Sequence, residues 1–68
     1  MKDYYMIFDG RAHMDIDDAS ILEALGTVSI EPAWEAMKEH PEDSALVKFE
    51  SEGLNGSHTL LNPEIQYK

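Results

Sequence analysis

Sixty-eight residues carry fourteen acids against five bases, a net charge of −9, and no cysteine. That length holds one domain at most, a single domain over 1–68, and the absence of cysteine rules out disulfides and thiolate chemistry. The charge opposes direct binding to nucleic acid or to an anionic membrane and attracts basic proteins or cations.

The acids are unevenly placed. Residues 1–52 hold thirteen of the fourteen, against Lys2, Arg11, Lys38 and Lys48, while residues 53–68 balance Glu64 with Lys68. Apolar residues make up 43% of the chain, enough for a core rather than wholesale disorder. Lys2 is followed directly by Asp3, and the first apolar run spans only Tyr4–Phe8. Neither a secretory leader nor a membrane span is expected from this, and the expected compartment is cytoplasmic. The acidity also has a plain reading, hydration and solubility, as on proteins adapted to high salt.

Tyr4-Tyr5-Met6-Ile7-Phe8 is short, unbroken and closed by Asp9-Gly10, so it predicts a strand ending in a turn. Tyr4, Met6 and Phe8 would share one face and Tyr5 and Ile7 the other. Apolar on both faces, it should be a central strand covered on both sides. The stretch from Asp9 to Asp18 offers little to bury and reads as a polar excursion, in preference to a hairpin pairing Arg11–Ile16 back on the first strand.

Ala19–Leu25 is ambiguous between a short capped helix and a strand. A strand is the better reading, because two helices would otherwise have only Thr27-Val28 between them. Ser29 to His40 is the clearest element. Ser29 is a suitable N-cap, and Pro32 falls in the first turn, where its missing N–H costs nothing. Ile30, Ala33, Trp34 and Met37 form one apolar stripe, with Trp34 expected as the main core anchor. Glu31, Glu35 and Glu39 line the outer face at i+4 spacing, relieved by Lys38, and Pro41 stops the helix.

Ala45–Glu50 alternates, predicting Ala45, Val47 and Phe49 inward and Leu46, Lys48 and Glu50 outward. Asn55-Gly56 marks a turn, and Ser57–Leu61 completes a hairpin that Asn62-Pro63 would break. The ordered core is then about 4–61, with 62–68 as a docked or flexible tail in which Ile65 and Tyr67 could dock on the sheet edge. The expected fold is α+β in β-β-α-β-β order, one amphipathic helix over Ile30–His40 packed on an antiparallel sheet. One helix covers one face. The other, holding some of Tyr5, Ile7, Ile21 or Leu46, would be left open and favour a homodimer.

The residues offer little catalytic chemistry. No cysteine, no Gly-x-Ser-x-Gly and no Gly-rich phosphate loop occurs, and Ser57 and His58 are strand neighbours that point apart. His40 and His58 read as surface histidines. No enzymatic activity and no cofactor are expected. His13-x-Asp15-x-Asp17 is the one spacing that resembles a divalent-cation site. Alternate residues on an extended chain lie ~6.8 Å apart, too far for adjacent ligands unless the loop curls, so no metal site is assigned.

The strongest functional expectation is an acidic protein-binding module. Carboxylates one helical turn apart, ~5–6 Å, match the spacing of phosphates along a strand. Glu31, Glu35 and Glu39, extended by Asp15, Asp17, Asp18, Glu42 and Asp43, could occupy the basic side chains of a nucleic-acid-binding protein. Small acidic inhibitors made by phages and mobile elements against host defence enzymes share this size, charge and layout. The alternatives are a homodimeric interaction module and a divalent-cation-binding domain.

Overall fold

The computed structural model of the chain describes residues 2–10, 20–54 and 57–67. Its elements run β1 (Lys2–Phe8), β2 (Ile21–Gly26), α1 (Ile30–Met37), β3 (Ala45–Leu54) and β4 (Ser57–Gln66). Among the described residues this is an α+β arrangement that fits the expected β-β-α-β-β order. The strands form one antiparallel sheet ordered β2-β1-β3-β4. The polar stretch 11–19, and with it His13, Asp15, Asp17 and Asp18, lies outside the described residues, as does the Asn55-Gly56 turn.

β1 is central, as its two apolar faces require. Its pairing with β3 is regular from Lys2 opposite Ser51 to Phe8 opposite Ala45. On one side, Tyr5, Ile7 and Leu46 are buried with Ala33 of α1, and Leu25, Val28, Ile30, Trp34, Ala36 and Met37 pack around them. On the other, Phe8, Ala45, Val47 and Phe49 form a second buried cluster flanked by Tyr4, Met6, Leu60 and Ile65. The rings of Phe8 and Phe49 lie 6.2 Å apart and tilted at 42°, within the range of favourable aromatic pairs.

This overturns two expectations. Leu46 does not face out: it is 1% exposed, under the helix, while Ala45, Val47 and Phe49 fill the opposite side. Nor is there an open apolar face built from Tyr5, Ile7 and Leu46, since all three are buried. Of the residues proposed for that face only Ile21, on edge strand β2, is exposed, at 57%. β3 is itself a central strand, flanked by β1 and β4, so it buries residues on both sides.

α1 is shorter than its apolar stripe suggests. It ends at Met37 rather than His40. The next three residues close with tighter bonds: Lys38, Glu39 and His40 donate backbone N–H groups to the carbonyls of Glu35, Ala36 and Met37 at 3.1–3.2 Å. Such i→i−3 closure is the usual way a helix ends, and the coming Pro41 disfavours helical geometry at His40. Ser29 holds the N-cap position with extended backbone, and its carbonyl accepts from Ala33 N–H at 3.3 Å. Its side chain makes no capping hydrogen bond.

β4 also departs from expectation. Asn62-Pro63 does not end the strand, which runs on to Gln66 with Ile65 opposite Val47. Between Lys48–Glu64 and Glu50–Leu61 the register slips by one residue, and Asn62 adopts φ 52°. Asparagine tolerates this left-handed geometry, and proline is accepted at a bulge on an edge strand, where its missing N–H costs no ladder bond.

Candidate protein-binding surface

The carboxylates named from sequence fall along α1 and the turns that follow it. Glu31 and Glu35 are exposed on the helix, Glu39 is exposed in its closing turn, and Glu42 and Asp43 are exposed in the turn leading to β3. That turn is closed by Ser44 N–H donating to the Pro41 carbonyl at 2.9 Å. Because α1 stops at Met37, Glu39 does not continue the row at helical spacing.

One member of the row is neutralised. Lys38 Nζ donates to both carboxylate oxygens of Glu35, at 3.1 and 3.3 Å. The pair is exposed, which limits it to a few tenths of a kcal/mol. Glu31, Glu39, Glu42 and Asp43 have no ion pair or side-chain hydrogen bond among the described residues.

A second group of acids gathers on the helix-side surface of the sheet, beyond the reach of α1. The register puts Asp3 opposite Glu50, Tyr5 opposite Lys48, and Lys48 opposite Glu64. Lys48 Nζ lies 3.9 Å from Glu64 Oε2, and Asn62 Nδ2 donates to Glu50 Oε2 at 2.9 Å. Burial pushes the Tyr5 phenol above its ordinary value. Asp3 adds to the shift, Lys48 opposes it, and Glu31 and Glu64 add more. Glu31 on the helix and Asp3 and Glu64 on the sheet therefore act on one buried phenol.

This has a testable consequence. The folded chain holds the Tyr5 proton to higher pH than the unfolded chain does. Its contribution to stability is therefore intact below about pH 10 and is lost as pH rises through the raised value. Urea midpoints measured between roughly pH 8 and 11 should fall more steeply for the wild type than for Tyr5→Phe. Equal slopes would contradict the assignment.

Two features escaped the sequence reading. His40 is not a free surface histidine: its side chain is 18% exposed and its Nε2 lies 2.8 Å from Glu23 Oε1 on β2. This contact ties the closing turn of the helix to the edge strand. The other is an open groove of about 490 Å³ lined by Trp34, Met37, Lys38, Pro41 and Glu42. Trp34 packs against the Tyr5–Ile7–Leu46 cluster, as expected of a core anchor, and also lines this groove. No local signal in the sequence marks the groove, because it exists only where Pro41 and Glu42 turn back beside Trp34.

Among the described residues, no three or more His, Cys, Asp or Glu side chains are grouped to hold a metal. Among the same residues, no helix is long and apolar enough to cross a membrane. No family model, curated protein or solved structure matches the chain.

Proposed function

We propose that this chain is a non-enzymatic acidic module that binds a basic protein. Its most specific form is a small inhibitor that occupies the nucleic-acid-binding surface of its partner, of the kind phages and mobile elements use against host defence enzymes. The observation that carries the reading is the run of exposed carboxylates Glu31, Glu39, Glu42 and Asp43 along one helix and its following turns, without cationic partners among the described residues. The apolar groups that would drive a salt-indifferent interface are largely consumed by the two core clusters. Asp15, Asp17 and Asp18 remain candidate extensions of the surface.

The test pairs capture with inhibition. Proteins held by the immobilised chain at low salt are identified, and the nucleic-acid affinity of any basic partner is measured with the chain added. Release as salt rises is expected, because exposed charge pairs are screened. The variant Glu31→Gln, Glu35→Gln, Glu39→Gln should weaken capture. At ~0.2–1 kcal/mol for each of three exposed pairs, the loss is roughly three- to 140-fold. Inhibition unchanged in that variant would remove the mimic reading.

Self-association is the second reading, favoured by one observation. β2 is an edge strand of the described sheet and exposes Ile21 and Leu22. Exposed apolar edges are templates for pairing with another chain. An interface of that kind resists salt, so the same titration separates the two.

A further inference from the structure

We infer that the Trp34 groove seats an arginine side chain of the basic partner. This rests on the charge-capture reading above and names the point of contact within it. The groove's lining supplies three things that an arginine uses and few other side chains do. Trp34 is the aromatic surface on which a guanidinium is best held, through cation–π attraction and stacking. Met37 and Pro41 offer apolar surface for the aliphatic stem. Glu42 is an exposed carboxylate on the lining, suited to a two-pronged hydrogen bond with the guanidinium fork.

Among the described residues that line the groove, Lys38 is the one cation, and it does not compete for that role. Lys38 is engaged with both oxygens of Glu35, which leaves Glu42 to an incoming charge. The surrounding segment 31–43 carries Glu31, Glu35, Glu39, Glu42 and Asp43 against Lys38 alone, a local excess of four negative charges with histidine neutral. A volume of about 490 Å³ lies in the lower half of the ~300–1,000 Å³ span of ligand clefts. That is room for one long side chain and its flanking backbone. Trp and Arg are also the residues most enriched where binding energy concentrates at protein interfaces.

Trp34 is the only tryptophan, so the emission of the chain comes from a side chain that lines this groove. The probes are octa-arginine and octa-lysine, peptides of equal formal charge, titrated at low salt with binding followed in parallel by calorimetry. Octa-arginine should move the Trp34 emission saturably and bind about fivefold more tightly than octa-lysine, the margin expected of one cation–π contact. Glu42→Gln, an exposed change that leaves the core intact, should reduce that preference. Trp34→Leu should abolish it, provided circular dichroism shows the variant folded. Equal binding of both peptides with the emission unmoved would overturn the groove while leaving charge capture standing. Binding of neither peptide would overturn both.

Discussion

Leu46→Lys should leave the chain unfolded at room temperature, with no cooperative melt by circular dichroism. Leu46 is 1% exposed, lies opposite Ile7, itself 0% exposed, and is buried with Tyr5 and Ala33 of the helix. Truncating such a residue to alanine already costs ~2–5 kcal/mol. Lysine removes the same packing and brings an ammonium into an apolar cluster, which costs more. A domain of this size is stabilised by only ~3–10 kcal/mol in total. The control lies two residues on, on the same side of the same strand. Lys48 is half-buried, and its contact with Glu64 is a long 3.9 Å. Lys48→Met should shift stability by no more than ~1 kcal/mol, or roughly 4–8 °C in Tm. A Leu46→Lys variant that melts cooperatively near the wild type would show that the helix does not cover this face.

The contrast between Leu46 and Lys48 shows what a one-dimensional pattern can hold. Strict alternation over Ala45–Glu50 assigns both residues outward. They do share a side, but that side changes character along the strand. An eight-residue helix is ~12 Å long, whereas a ten-residue strand extends ~33 Å. α1 therefore shelters the Leu46 end of β3 and leaves Lys48, Glu50 and Glu52 beyond it. β1 was legible as a two-faced central strand because its apolar run is unbroken. β3 was not, because Lys48 and Glu50 interrupt the run where the helix stops. The helix was legible from the stripe Ile30–Ala33–Trp34–Met37, all of which pack on the sheet or are buried. Its last turn is not legible, because Glu39 and His40 continue the spacing while the backbone already tightens toward Pro41.

The same reasoning applies to β4 and to the surface. Pro63 ends a central strand but is tolerated on an edge strand at a bulge. Edge position depends on the order β2-β1-β3-β4, which is set by pairing between segments far apart in the chain. The exposure of Glu31, Glu35, Glu39, Glu42 and Asp43 was legible from charge alone. The Glu35–Lys38 pair was legible from i+3 spacing. The His40–Glu23 contact was not, since it joins residues 17 apart in the chain, and the Trp34 groove was not, since it depends on how the 38–42 turns fold back beside the helix.

Gly10→Ala should lower Tm far more than alanine at Gly26, although a survey of backbone angles would rank them the other way. Gly26 ends β2 at φ +84°, a geometry that L side chains rarely adopt, yet a Cβ there meets nothing within 4 Å. Its replacement by alanine should cost ~1–2 kcal/mol of backbone strain. At Gly10 the obstacle is contact. A Cβ would overlap the carbonyl oxygen of Asp43 and stand 2.5 Å from its carbonyl carbon and 2.9 Å from its Cβ. Two of those atoms are main chain, so no rotamer change relieves the clash. Nor can either backbone retreat freely. Asp43 sits in the turn held by the 2.9 Å bond from Ser44 N–H to the Pro41 carbonyl, just before Ser44 and Ala45 enter the core. On the other side Asp9 N–H is fixed to the Ser20 carbonyl at 2.9 Å. Overpacking of this kind costs ~1–3 kcal/mol where side chains can yield, and more where only backbone can. A loss of about 3 kcal/mol corresponds to a fall in Tm of roughly 12–24 °C for a domain this small. Paired thermal melts of Gly10→Ala and Gly26→Ala decide it, and a smaller fall at Gly10 would mean that the end of β1 does not abut the 41–44 turn. The contact also bears on binding, because that turn carries Pro41 and Glu42 of the Trp34 groove. Wherever Gly10→Ala retains enough folded protein to measure, its Trp34 emission should differ from that of the wild type, whereas Gly26→Ala, with open space around it, should leave the emission unchanged.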